Sequence, residues 1–138
     1  MVHNNDILMM YFQSCLNLPY RWGGNNPVDG FDCSGFIQEA LAVIGKDPVG
    51  DQTSHGLYEI FKLDGVIKKN ASFGALLFFG NEYKIKHVAI ALNETTMIEA
   101  GGGGSRVTDL ENAIKYNAFV RVRPIARRSD LVAVIEVM

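Results

Sequence analysis

Two cysteines in 138 residues cannot build the disulfide framework on which small oxidised domains depend. Neither has another cysteine or a histidine at metal-ligand spacing, so both are expected to be reduced and no metal or other cofactor is expected. A net charge of −2 argues against the basic surface that nucleic acid demands. No apolar run approaches the ~18 residues that span a bilayer, and the first residues lack the basic flank and cleavage site of an export signal. The chain is therefore expected to be made in the cytoplasm, with no membrane partner. What it does have is apolar side chains, 48% of the total, enough to bury roughly two thirds of the unfolded surface in one domain over residues 1–138. No internal repeat divides it.

The stretch Tyr20 to Phe36 places a single cysteine at the mouth of a helix. Pro27, Asp29 and Gly30 break the chain, and Phe36, Ile37, Ala40, Leu41 and Ile44 then recur at the three-and-four spacing of an amphipathic helix. That helix starts near Cys33, with Asp32 or Cys33 itself at the cap position. Unpaired N–H groups and the positive end of the helix dipole favour a thiolate there, the nucleophilic form of cysteine. Gly35 allows another backbone or a substrate to come close. Cys33 also shares a stripe with Ile37, Ala40 and Ile44, so spacing alone supports a buried core thiol equally well. Cys15 lies inside an apolar helix running from Ile7 to Leu16, capped by Asn5 or Asp6, and reads as core packing.

Three strands follow, Gly74–Phe79, His87–Leu92 and Met97–Ala100. His87 opens the second and alternates with Ala89 and Ala91, a face of small side chains that leaves room for something to sit against it. A lone histidine at a strand start is often a surface or core residue, but a helix-start cysteine needs such a base. Glu99 is the candidate for a third group that orients the base. The parity of the hairpin through Asn93, Glu94 and Thr95 decides this: an odd loop puts His87 and Glu99 on one face, and a two-residue loop separates them. Otherwise Glu99 is an exposed strand carboxylate.

Elsewhere Thr53 or Ser54 caps a short helix through Leu57, Ile60 and Phe61, leaving His55 solvated in its first turn; His3, near a terminus, is a weaker base candidate still. Gly101 to Gly104 with Ser105 forms a loop, either open backbone beside a cleft or plain connection. Asp109–Tyr116 reads as a short helix and Ala118–Arg123 as a strand with its arginines on one face, ended by Pro124. Arg127 and Arg128 are too few for a nucleic-acid patch and read as solvated. Leu131–Met138 reads as a strand with an unpaired edge. The assembled expectation is an α+β fold, with helices carrying Cys15 and Cys33 packed on an antiparallel sheet carrying His87 and Glu99.

Tyr20-x-Trp22-Gly23-Gly24, then Phe31-Asp32-Cys33-Ser34-Gly35-Phe36, a Gly-x-Leu-x-Phe-Phe strand and a His-Val-x-Ile strand together resemble the NlpC/p-sixty cell-wall peptidases, papain-like cysteine enzymes. The resemblance runs from Tyr20 to about Ala100. It implies a papain-like fold with Cys33 as nucleophile and His87 as general base. Glu99 falls at the third polar position, where the family more often has His, Asn or Gln. Tyr20 matches a tyrosine whose hydroxyl lies near the nucleophile, Asp32 and Ser34 match residues that bind the amino end of the peptide substrate, and Ala75 replaces an acid without bearing on the chemistry. The implied reaction is thioester-mediated hydrolysis of the amide between D-γ-glutamate and the following diamino acid in the peptidoglycan stem peptide. Two other readings stay open: a non-catalytic phage tail or wall-binding module, and another thiol-dependent amidase or acyltransferase. A wall hydrolase made without an export signal implies a phage tail or lysis apparatus or a secretion machine as partner, with a phage or prophage origin favoured; recycling of wall peptides in the cytoplasm is the other role.

Overall fold

The computed structural model describes residues 3–26, 30–102 and 104–138. Pro27 and Asp29, read above as chain breakers, and Gly103 lie outside the described residues. Helix α1 (Asn4–Cys15) buries Leu8, Phe12 and Cys15, a stripe at four- and three-residue spacing. The His3 N–H donates to Asp6 Oδ2 at 3.1 Å, so the helix begins just ahead of the expected cap residues. Two short strands, β1 (Asn25–Asn26) and β2 (Gly30–Phe31), pair antiparallel and deliver the chain to α2 (Cys33–Ala42). Helix α3 (Ser54–Asp64) starts at Thr53, whose hydroxyl accepts the Gly56 N–H at 3.0 Å. No helix among the described residues is long and apolar enough to cross a membrane.

Strands β3 (Val66–Lys68), β4 (Leu76–Asn81), β5 (Lys84–Ala91), β6 (Thr96–Gly101), β7 (Phe119–Pro124) and β8 (Leu131–Glu136) form one sheet in the order β3-β8-β4-β5-β6-β7. Every neighbouring pair is antiparallel. Helix α4 (Leu110–Lys115), capped by Asp109, links β6 to β7. The C-terminal strand is therefore not the unpaired edge that its sequence suggested. Ile135 of β8 pairs with Ile67 on one side and Leu76 on the other. Its outer partner, β3, is three residues long and exposed throughout, and so carries no burial pattern by which sequence could find it.

Each side of the sheet has its own core. The helices bring Phe12, Phe36, Ile37 and Leu57 against Leu76, Phe78, Val88, Ile90 and Ile98. On the other side Leu77, Phe79 and Met97 pack on Ala89 and Ala91, joined by Ala75 and Val134. The alanine face that promised open room is thus filled by the chain's own larger side chains, each fully buried apolar residue contributing about 1.5–3 kcal/mol. The far edge of β7 is covered by the segment after α1. Asn17 N–H donates to Val120 O at 2.9 Å, Val120 N–H to Leu18 O at 2.8 Å, and Tyr20 N–H to Ala118 O at 3.0 Å. Tyr20 is thereby pinned beside the sheet before the chain turns toward α2.

Candidate active site

Asp32 rather than Cys33 is the cap of α2. Its Oδ1 accepts the Gly35 N–H at 2.6 Å, and the Ser34 hydroxyl donates to the same oxygen at 3.3 Å. Cys33 is then the first helical residue, whose N–H has no carbonyl one turn earlier to meet and is aimed out of the helix start. The close approach that Gly35 permits is made by the protein itself: a Cβ there would stand 2.1 Å from the Gly24 carbonyl oxygen. That oxygen also accepts the Asp32 N–H at 3.0 Å, so the loop through Trp22 to Gly24 is strapped to the helix start. Burial moves the Asp32 carboxyl above its usual range, although the Gly35 and Gly23 N–H groups and the Ser34 hydroxyl oppose it. Cys33 is half-buried, whereas Cys15 is enclosed in the core.

The β5–β6 hairpin settles the parity question. Ile90 pairs with Ile98 and Ala91 with Met97, and the Leu92 N–H bonds Thr96 O at 2.9 Å, which leaves Asn93, Glu94 and Thr95 as an odd loop. Asn93 Oδ1 holds that loop by accepting the N–H groups of Thr95 and Thr96 at 2.9 and 2.8 Å. His87 and Glu99 consequently share a face, and His87 Nε2 lies 2.8 Å from Glu99 Oε2. Glu99 is 1% exposed, so it is not a solvated strand carboxylate. Gly101 lies beside His87, where a Cβ would reach 3.4 Å from the ring. His87 does not open its strand. The strand starts at Lys84, and the Ile85 N–H donates to His55 Nδ1 at 3.0 Å. His55, expected in solvent, is instead the clasp between α3 and β5.

Arg127 and Arg128 also differ from expectation. The Arg127 Nη1 donates to Glu99 Oε1 at 2.5 Å, and Arg123 Nε stands 3.7 Å from the same oxygen. Arg128 makes a two-pronged pair with Asp130 at 2.9 and 2.8 Å and lies over the Phe79 ring. Nothing local in the sequence ties Arg127 to a glutamate 28 positions earlier; the available signal is that a carboxylate buried beside a histidine calls for a cation.

These contacts set the charge states. Burial by itself would lower the His87 pKa, but hydrogen bonds to Cys33 and Glu99 outweigh it and raise the value to about 9. Burial would raise Glu99, but the His87 hydrogen bond and charge, followed by Arg127, bring it below the usual carboxylate range. Because Glu99 takes Nε2, Nδ1 is the ring nitrogen left for the Cys33 thiol. Burial, with the nearby Cys33 and Asp32, raises the Tyr20 phenol, which therefore stays a hydrogen-bond donor.

Tyr20, Asp32, Cys33, Ser34 and His87 all line one cleft of about 630 Å³, with Glu99 behind His87. Sequence reading did not single out Thr53, Ser54, Lys86 and Arg106 for this wall, nor Trp22 as more than a motif position; Trp22 stands 56% exposed at its rim. Gly101, Gly102 and Gly104 bring open backbone to the same cleft. A thiol paired to a cationic imidazole, with a helix-start N–H and a phenol nearby, is equipped for acyl transfer. Among the described residues no group of three or more His, Cys, Asp or Glu side chains could hold a metal ion.

Residues 17–124 match the model of the NlpC/P60 family. Over 98 residues the chain is 37% identical to the bifunctional muramidase/DL-endopeptidase CwlT of Bacillus subtilis (strain 168), an alignment covering 68% of this chain and 28% of that protein. The chain thus spans less than a third of that relative's length. Its fold is similar to that of the peptidoglycan hydrolase RipB from Mycobacterium tuberculosis, with a TM-score of 0.71 and 26% identity, covering 98% of this chain and 65% of the other. It is also similar to RipD from the same organism, described as a non-catalytic NlpC/p60 domain protein adapted to peptidoglycan binding, with a TM-score of 0.72, 23% identity and full coverage of both chains. The papain-like α+β fold expected from the sequence is the fold of these neighbours. With a family match running from the segment that docks Tyr20 to the end of β7, on a fold shared over nearly its whole length, the chain belongs to the NlpC/P60 family.

Proposed function

We propose that the chain is a cysteine endopeptidase that hydrolyses an amide in the stem peptide of peptidoglycan, the bond between D-γ-glutamate and the following diamino acid. The observation that carries this reading is the chain of contacts from Cys33 through His87 to Glu99 at the wall of an open cleft. The names of CwlT, an endopeptidase, and RipB, a peptidoglycan hydrolase, support the substrate class.

In this mechanism the Cys33 thiolate attacks the carbonyl carbon, forming a C–S bond and placing negative charge on the carbonyl oxygen. The Cys33 N–H at the start of α2 and the Tyr20 hydroxyl donate to that oxygen, each such donor contributing roughly 2.7–4 kcal/mol. The C–N bond then breaks as His87 gives its proton to the leaving amine. Water attacks the thioester, returns a proton to His87, and the C–S bond breaks to restore the thiolate and release the carboxylic acid. Glu99 holds the imidazole in orientation throughout. Asp32 and Ser34, next to the nucleophile, take the amino end of the peptide.

The test is product release from purified peptidoglycan and from a synthetic stem tripeptide, read by mass spectrometry. The wild-type chain is expected to release the two halves of the named bond, and Cys33→Ala to lose at least about 10³-fold in rate. Full activity in Cys33→Ala would overturn the mechanism. Wall binding by the wild type without turnover would make the chain a binding module, and cleavage of a different amide or ester would make it another thiol-dependent acyl enzyme.

A further inference from the structure

Arg127 lies beyond the segment matched to the family, which ends at residue 124, in the 3₁₀ turn Ile125–Arg127 after β7. Its side chain is 39% exposed while that of Glu99 is 1% exposed. The carboxylate therefore has almost no water to offset its charge, and protein groups must do so. Those facing it are His87 from β5, Arg121 directly across on β7, Arg123 on the same strand, and Arg127 with Arg128 after it. Arg121 is turned to Asn117 Oδ1 at 2.6 Å and Arg128 to Asp130, while Arg123 stands at 3.7 Å. Arg127 is the arginine in hydrogen-bond contact, and it takes the oxygen that His87 does not. Without it the buried carboxyl would more readily accept a proton, and a protonated Glu99 cannot stabilise an imidazolium.

We propose that Arg127 is a positioning residue: its ion pair with Glu99 keeps that carboxylate charged and aimed at His87, so the third member of the site is a two-residue unit, Glu99 with Arg127. The inference rests on the cysteine-peptidase reading of Cys33 and His87. Arg127 also lines the cleft, so the segment after β7 belongs to the active site, but its effect operates through Glu99 rather than through substrate and KM holds when it is replaced.

The experiment compares wild type, Arg127→Met, Arg127→Lys, Glu99→Gln and the double variant Glu99→Gln/Arg127→Met. Two readouts are taken: kcat/KM against pH on the stem tripeptide, and NMR titration of the Glu99 carboxyl carbon and the His87 ring. In Arg127→Met the acid limb of the rate profile moves to higher pH, with the rate at pH 5 falling about tenfold while KM holds, and the Glu99 midpoint moves up with it. Arg127→Lys restores most of both. In the Glu99→Gln background, Arg127→Met changes nothing further. An unmoved Glu99 midpoint, an equal loss in both backgrounds, or a change confined to KM overturns the proposal. Should Arg127→Met not fold, Arg127→Gln removes the charge while keeping a donor and reads the same shift. The titration needs no turnover, so a chain that binds the wall without cutting it still tests Arg127, and the two failures stay distinct.

Discussion

His87 is held from two sides, by the Cys33 thiol and by Glu99, and its charge state follows from that. Its pKa is raised from the ordinary 6.5 to about 9, so at neutral pH it is an imidazolium, the form in which the proposed mechanism has it protonate a leaving amine. The rate should therefore fall as pH rises past about 9, and in Cys33→Ala the ring should titrate lower because one of its two partners is gone. Stability follows with a definite sign. His87 is raised on folding, so its contribution is complete below pH 6.5 and is lost as pH climbs through about 9. Glu99 is lowered on folding, so its contribution is present above the ordinary 4.5 and is lost as pH drops through its folded value. Denaturation midpoints measured against pH should decline from 6.5 to 9, and a midpoint that keeps rising over that window would refute the pairing. At this scale the sequence offered Cys33 near a helix start, Asp32 as one of two cap candidates and His87 on one face with Ala89 and Ala91, because caps and strand alternation are written in a few adjacent residues. Arg127 was not legible, because its partner lies 28 positions away.

At the scale of elements, two short pieces of structure aim the chemistry: the start of α2 and the β5–β6 hairpin. The first depends on the strap between Gly24 and Gly35. Alanine normally favours a helix interior over glycine by about 1 kcal/mol, but at position 35 its Cβ would sit 2.1 Å from Gly24 O and 2.8 Å from Asp32 Oδ1. Gly35→Ala should therefore destabilise by about 1–3 kcal/mol or more and disturb the cap next to Cys33, lowering the thermal midpoint. An unchanged or raised midpoint would show that the strap is loose. The hairpin was legible only as a condition. Sequence could state that an odd loop aligns His87 with Glu99; the odd count itself is seen only in the pairing of Leu92 with Thr96, which Asn93 supports by accepting the N–H groups of Thr95 and Thr96. His55 shows the limit from the other side, since a first-turn histidine looks solvated until β5 is laid beside α3.

For the whole molecule, the order of the sheet matters most, because it puts β8 inside rather than at an edge. Ile135 has no exposure and pairs with strands on both sides. Ile135→Ala should cost about 2–5 kcal/mol, as for a core position, read as the loss of denaturant midpoint. A loss within about 0.5 kcal/mol would be the behaviour of a surface strand and would contradict the sheet order. Between β7 and β8 the chain makes the Arg127 turn, which is tied to the β5–β6 hairpin by the Ile125 N–H donating to Thr95 O at 2.9 Å.

By itself the sequence determined the local grammar of this protein: an α+β pattern, a helix that begins near Cys33 with Asp32 or Cys33 as its cap, strands that carry His87 and Glu99, and the parity rule linking them. These follow from periodicity, capping and turn chemistry, which act over a few residues. Only the tertiary structure decided that Glu99 is buried, that Arg127 offsets its charge, that the alanine face is filled, and that the last strand lies between two others. Those depend on which distant segments come into contact, and a buried charge finds its counterion by position in space, whatever the distance along the chain.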